Sequence, residues 1–134
     1  MVNTKRLLIA FAVALVVDSI YNITVFGMLL RDFHAQHSRW LKPDSEVPVL
    51  RMFLTGALNI ALISLFYALF ARNRASRLST GIVFGVLLGL IAGWVPQATN
   101  KMLFVDYPFY IVWAPAIFFE AVLIGIVLGL TYRE

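Results

Sequence analysis

Cysteine is absent from this 134-residue chain, which excludes disulfide frameworks, thiolate nucleophiles and Cys-ligated metals. Charge is scarce as well: Asp, Glu, Lys and Arg make up 13% of the residues, against about 25% in a soluble domain. No phosphate-cradling glycine loop, no nucleophile with a base and an orienting acid, and no zinc-protease helix appears. An enzyme is therefore not the expected class, and no residue set calls for a cofactor.

What fills the chain instead is apolar. Hydrophobic residues reach 61% and the mean hydropathy is +0.86, in long blocks rather than at amphipathic spacing. A pI of 9.8 would suit a nucleic-acid binder, but the Lys and Arg lie in the caps and loops between apolar runs. Topology and anionic headgroups account for them better, so the bilayer and not nucleic acid is the expected partner.

Four runs meet the length of about 20 residues that a helix needs to cross ~30 Å of hydrocarbon. They are Leu7–Leu30, Met52–Ala71, Thr80–Asn100 and Phe109–Leu130. The expected fold is all-α: a four-transmembrane-helix bundle forming one membrane domain over residues 1–134, with an outer loop at 31–51. Lys5 and Arg6 ahead of Leu7–Val17, with Ala10, Ala12 and Ala14 at A-x-A spacing, mimic a signal peptide. Cleavage there would leave almost no apolar core, and the run continues to Leu30, so an uncleaved first span is the expectation.

Orientation rests on the cations. Lys5, Arg6, Arg72, Arg74, Arg77 and Arg133 fall on one side; Arg31, Arg39, Lys42, Arg51 and Lys101 fall on the other. The tight turn carrying Arg72, Arg74 and Arg77 favours both termini in the cytoplasm, and it places Trp40, Trp94 and Trp113 toward the outer face as half of an aromatic belt.

Six of the eight glycines lie in the last two spans. Gly81, Gly85, Gly89 and Gly93 recur every four residues like a glycine zipper, and the fourth span answers with Ala121, Gly125 and Gly129. Laid antiparallel, Gly81 meets Gly129, Gly85 meets Gly125 and Gly89 meets Ala121. Small residues let backbones close up in lipid, where apolar burial gives helices no reason to associate. The stripe is either a seam between these two spans or a docking face for another subunit. Pro96 and Pro115 should bend or end helix near the outer side of the same spans and open a recess there.

The buried polar residues need explaining. Asp18 is the twelfth of 24 residues in the first span and Glu120 the twelfth of 22 in the fourth, so both fall near the bilayer midplane. A charge there costs at least ~2.5–3.5 kcal/mol, and no Lys, Arg or His lies inside these four spans. At least one carboxyl is expected to keep its proton and to share a hydrogen bond with the other. Asn22 and Asn59 complete an expected intramembrane cluster. Tyr21, Arg51, Thr55, Gln97 and Asn100 line an expected vestibule that opens outward, while the inner half offers only Ser64 and Tyr67. The alternative is that Asp18, Asn22, Asn59 and Glu120 only hydrogen-bond the helices together.

In the outer loop, His34 and His37 at i, i+3 with Asp32 nearby form an incomplete metal-ligand set. The competing reading is an amphipathic segment lying in the headgroups with Phe33, Trp40 and Leu41 inserted. Taken with the stretch Asp18–Phe33, the residues Trp40, Lys42, Pro43 and Glu46 resemble a family of small bacterial four-span membrane proteins, a domain of unknown function. In that pattern an Asp late in the first span precedes a His one turn on; here Asn22 stands at the His position, which weakens a proton-relay role for that turn. The resemblance covers about a quarter of the chain and implies a fold and a bacterial inner-membrane address, with no activity attached.

Three readings of function follow. The first is an accessory or structural subunit of a larger membrane assembly, bound to other membrane subunits or to itself. The second is a transporter or small-ligand binder using Asp18 and Glu120 under the vestibule. The third is a metal-handling or enzymatic role through His34 and His37. No two-fold repeat relates the first pair of spans to the second, against the usual plan of a small transporter.

Overall fold

The computed structural model describes residues 1–132; Arg133, one of the cations used for orientation, lies outside them. Four helices are long and apolar enough to cross a membrane, which makes this a multi-pass membrane chain. They are α1 (Thr4–Leu29), α3 (Val49–Phe70), α4 (Leu78–Leu103) and α5 (Tyr110–Thr131). A short helix α2 (Arg31–Gln36) and two single turns, Ser38–Trp40 and Asp44–Glu46, lie between α1 and α3. The spans start and end within three residues of the expected bounds.

Both described chain ends meet at one end of the bundle. Asn3 caps α1 by accepting the Arg6 amide at 3.1 Å, and its own backbone N–H donates to the Tyr132 hydroxyl at 3.3 Å. The core sits at this end. Ala10 and Ala14 are fully buried in one cluster with Ile60, Tyr67, Phe84, Ile124 and Leu128, and their small size lets the helices approach. The Tyr67 ring packs edge-on to Phe84 and Tyr132. Its hydroxyl pairs with Ser76 at 2.8 Å, while Ser64 donates to the Ile60 carbonyl at 2.7 Å.

The α4–α5 seam comes from glycine. A Cβ added to Gly85 would lie 2.7 Å from Val122 Cα and 2.8 Å from the Ala121 carbonyl oxygen. One on Gly125 would lie 2.7 Å from Gly85 Cα, and one on Gly81 would run into the Gly125 carbonyl and stand 3.0 Å from Gly129 Cα. Gly81 thus meets Gly129, and Gly85 meets Gly125. The third expected pairing differs: Gly89 faces Phe118, with 2.8 Å to its Cδ2, and Ala121 instead packs by Gly85. Rows of i+4 residues slant around a helix, so crossing axes let the pairing drift along the seam. The stripe is consumed within the chain and is not left over as a docking face.

Two stretches are wound one residue wider than an α-helix. Asn22–Leu29 ends α1 and Gly89–Trp94 interrupts α4; the Leu30 N–H, for example, donates to the Val25 carbonyl at 2.9 Å. The second stretch explains why Pro96 does not end α4. The hydrogen-bond ladder is already re-spaced there, and Pro96 falls in the first turn of a new α-helical stretch, Val95–Leu103, where its missing N–H costs little. Pro115 likewise sits inside an unbroken α5.

Helix α5 is flanked by α4 and α1, and α3 leans on α1. The contact with α3 is confined to the core end: Ile60, Ser64, Tyr67 and Ala68 are buried, whereas residues 49–55 are all exposed.

Candidate functional site

Asp18 and Asn22 lie one helical turn apart on α1, so their side chains emerge on one face. That face meets α5. The Asn22 amide Nδ2 donates to the Glu120 carboxylate oxygen Oε1 at 2.7 Å and to the Asp18 backbone carbonyl at 2.9 Å. Asp18 and Glu120 lie close enough on the facing helices to interact. Beside them the Tyr21 hydroxyl donates to the Ala116 carbonyl at 2.5 Å, one turn from Glu120 on α5. Asn22 also opens the widely wound stretch, a kind of winding that concentrates at functional sites. The cluster can hold and share a proton, and Asn22 remains exposed at its edge.

Asn59 does not join it. That residue, Thr55 and Arg51 are all exposed along α3. Gln97 and Asn100 are also drawn elsewhere. Gln97 accepts the Tyr107 hydroxyl at 2.6 Å, and the Asn100 amide reaches the same oxygen at 3.5 Å. With Lys101 donating to the Tyr107 carbonyl at 3.4 Å, these residues pin the α4–α5 loop. The expected vestibule of Tyr21, Arg51, Thr55, Gln97 and Asn100 is thus not one surface.

The histidines are placed as parts of an aromatic cap. Trp113 Nε1–H donates to His34 Nε2 at 3.0 Å, and the other side of the ring hydrogen-bonds the Phe26 carbonyl. With an acceptor at Nε2 and a donor at Nδ1, His34 is held neutral. Burial pushes its imidazole below the usual histidine range; the bond to Phe26 opposes this and the neighbouring His37 adds to it. His37 Nδ1 is 2.8 Å from the Phe33 carbonyl. The set His34, His37 and Asp32 does not converge, and among the described residues no three His, Asp or Glu side chains gather as a metal site. Phe33 is half-buried and packs at a tilt against His37, with ring centroids 4.5 Å apart, and Trp40 packs edge-on to Tyr107 and Phe109. The segment 31–48 closes the far end of the bundle.

A recess does exist, but not at the prolines. A cavity of about 750 Å³ lies between the end of α1 and the loop, lined by Phe26, Gly27, Arg31, Ser38, Lys42 and Asp44 among others. Sequence reasoning missed Trp113 as the partner of His34, and Phe26 and Gly27 as a cavity floor. The only available signal was the aromatic enrichment at that end. No protein-family model, no curated protein and no solved structure matches the chain.

Proposed function

We propose that the chain is a small accessory subunit of a larger membrane assembly, seated in a bacterial inner membrane with both termini in the cytoplasm. The observation that supports it most is the stripe Arg51, Thr55 and Asn59 on α3, exposed and with no side-chain partner among the described residues. Asn59 is the eleventh of 22 residues in that helix, so its amide faces hydrocarbon near the midplane. An amide left unpaired there is costly, and a neighbouring helix with a hydrogen-bonding group at that depth, and an acid near Arg51, removes the cost.

The experiment is gentle detergent extraction of tagged protein from its own host, with wild type and Thr55→Leu/Asn59→Leu compared. A defined membrane protein that co-purifies with wild type and is lost from the variant supports the reading. Wild type isolated only as a monomer or a homodimer overturns it.

A second reading, binding or transport of a small solute, is favoured by the Asp18–Asn22–Glu120 cluster. Its mark is loss of function without loss of assembly in Asp18→Asn or Glu120→Gln.

A further inference from the structure

The recess at the far end of the bundle has a chemistry that neither reading uses. Its floor, Phe26 and Gly27, belongs to the apolar span α1, whereas its rim, Arg31, Ser38, Lys42 and Asp44, belongs to the polar loop. The cavity therefore straddles the boundary between hydrocarbon and headgroups. We propose that it binds one glycerophospholipid, with the phosphodiester between Arg31 and Lys42 and the start of an acyl chain over Gly27.

Several observations converge. Neither the Arg31 nor the Lys42 side chain has a hydrogen bond or an ion pair among the described residues, so both cations remain available. A guanidinium presents a planar fork that matches phosphate oxygens, and a Lys beside it adds a point charge. His34 on the wall adds no charge, because Trp113 and the Phe26 carbonyl hold it neutral. The volume of about 750 Å³ falls within the ~300–1,000 Å³ of small-ligand sites. Gly27 has only its own helix near it: an added Cβ would find nothing closer than the Asn22 carbonyl oxygen at 3.8 Å. Packing inside the chain does not demand a glycine there, and its smooth surface leaves space for an acyl chain.

Asp44 refines the ligand. A carboxylate on the rim repels a second anionic group but accepts a hydrogen bond from an ammonium or a hydroxyl. Ethanolamine headgroups can donate one and choline headgroups cannot. The site therefore takes a phosphodiester whose headgroup carries a hydrogen-bond donor.

Full-length protein in detergent micelles doped with equimolar dioleoyl phosphatidylethanolamine and dioleoyl phosphatidylcholine, read by native mass spectrometry, tests this. Wild type should retain one phosphatidylethanolamine per chain in several-fold excess over phosphatidylcholine. Arg31→Gln/Lys42→Gln should lower retention by at least about tenfold, since both charge-assisted contacts are lost. Asp44→Ala, which leaves no side-chain acceptor, should keep the lipid but erase the headgroup preference. Equal retention of both lipids by wild type overturns the proposal, and this arm needs no variant to fold. Unchanged retention in the double variant also overturns it. Displacement by soluble glycerophosphoethanolamine at the lipid's own concentration assigns the site to a free phosphodiester instead, and the lipid is then wrong.

Discussion

The Trp113 indole N–H and the His34 ring nitrogen Nε2 lie 3.0 Å apart, a bond that ties the fourth membrane helix to the loop after the first across 79 positions of sequence. It requires an unprotonated nitrogen on His34. The cap of aromatic rings around it, Phe26, Phe33 and Phe109 included, is thereby linked to the charge state of one side chain.

Acidification should break that bond. His34 titrates below its ordinary value of 6.5, so between that value and its folded pKa the unfolded chain holds more protons than the folded one. Stability contributed by the neutral ring is complete above 6.5 and declines as pH falls through this window. In a Trp40→Phe/Trp94→Phe background, Trp113 emission should be quenched on acidification with a midpoint under 6.5. The transition should vanish in His34→Gln. A midpoint at or above 6.5 contradicts the assignment.

The seam predicts opposite outcomes for two glycines. Gly125→Ala puts a methyl against Gly85 backbone and should cost about 1–3 kcal/mol as overpacking. Gly56 has nothing within 4 Å of its added Cβ, so Gly56→Ala should be neutral or stabilising by up to about 1 kcal/mol. Unfolding in mixed micelles, followed by circular dichroism, compares them; equal destabilisation would refute the seam.

Asn22→Leu removes the donor to Glu120 and should cost roughly 0.6 kcal/mol, the average for hydrogen bonds between membrane helices, and no more than about 1.7 kcal/mol, the largest measured. Glu120→Gln keeps an acceptor at that position and should cost less. A Glu120→Gln loss larger than that of Asn22→Leu would show that charge, not the hydrogen bond, matters there.

The carboxyl pair has a spectroscopic signature. Infrared difference spectra should show a protonated carboxyl band at pH 7 that disappears in Asp18→Asn/Glu120→Gln. Two groups fully ionised by pH 5 would rule out the shared proton.

The spans were legible in the sequence because hydropathy over some 20 residues is a property of composition, with little dependence on neighbours. Two of the three glycine pairings were legible for a related reason: i+4 spacing fixes a helix face, and two such faces can be slid into register. Gly89 was misassigned because the crossing of the axes depends on bulky neighbours such as Phe118. Asp18 and Glu120 were matched by depth alone. Depth says nothing about direction, however, so Asn59 was grouped with them although it faces away. The wide turns at Asn22 and Gly89 have no local spacing signal. His34 and His37 looked like a ligand pair because the residue that occupies one of them, Trp113, is remote in sequence.

The Asn22–Glu120 bond spans 98 positions and joins α1 to α5. During synthesis Asp18 and Asn22 enter the bilayer well before Glu120 exists. A nascent chain stalled before α5 therefore carries an unmatched acid near the centre of the membrane, where lipid tolerates it least, and a finished chain does not. The polar contact that closes the bundle thus forms only once α5 stands beside α1.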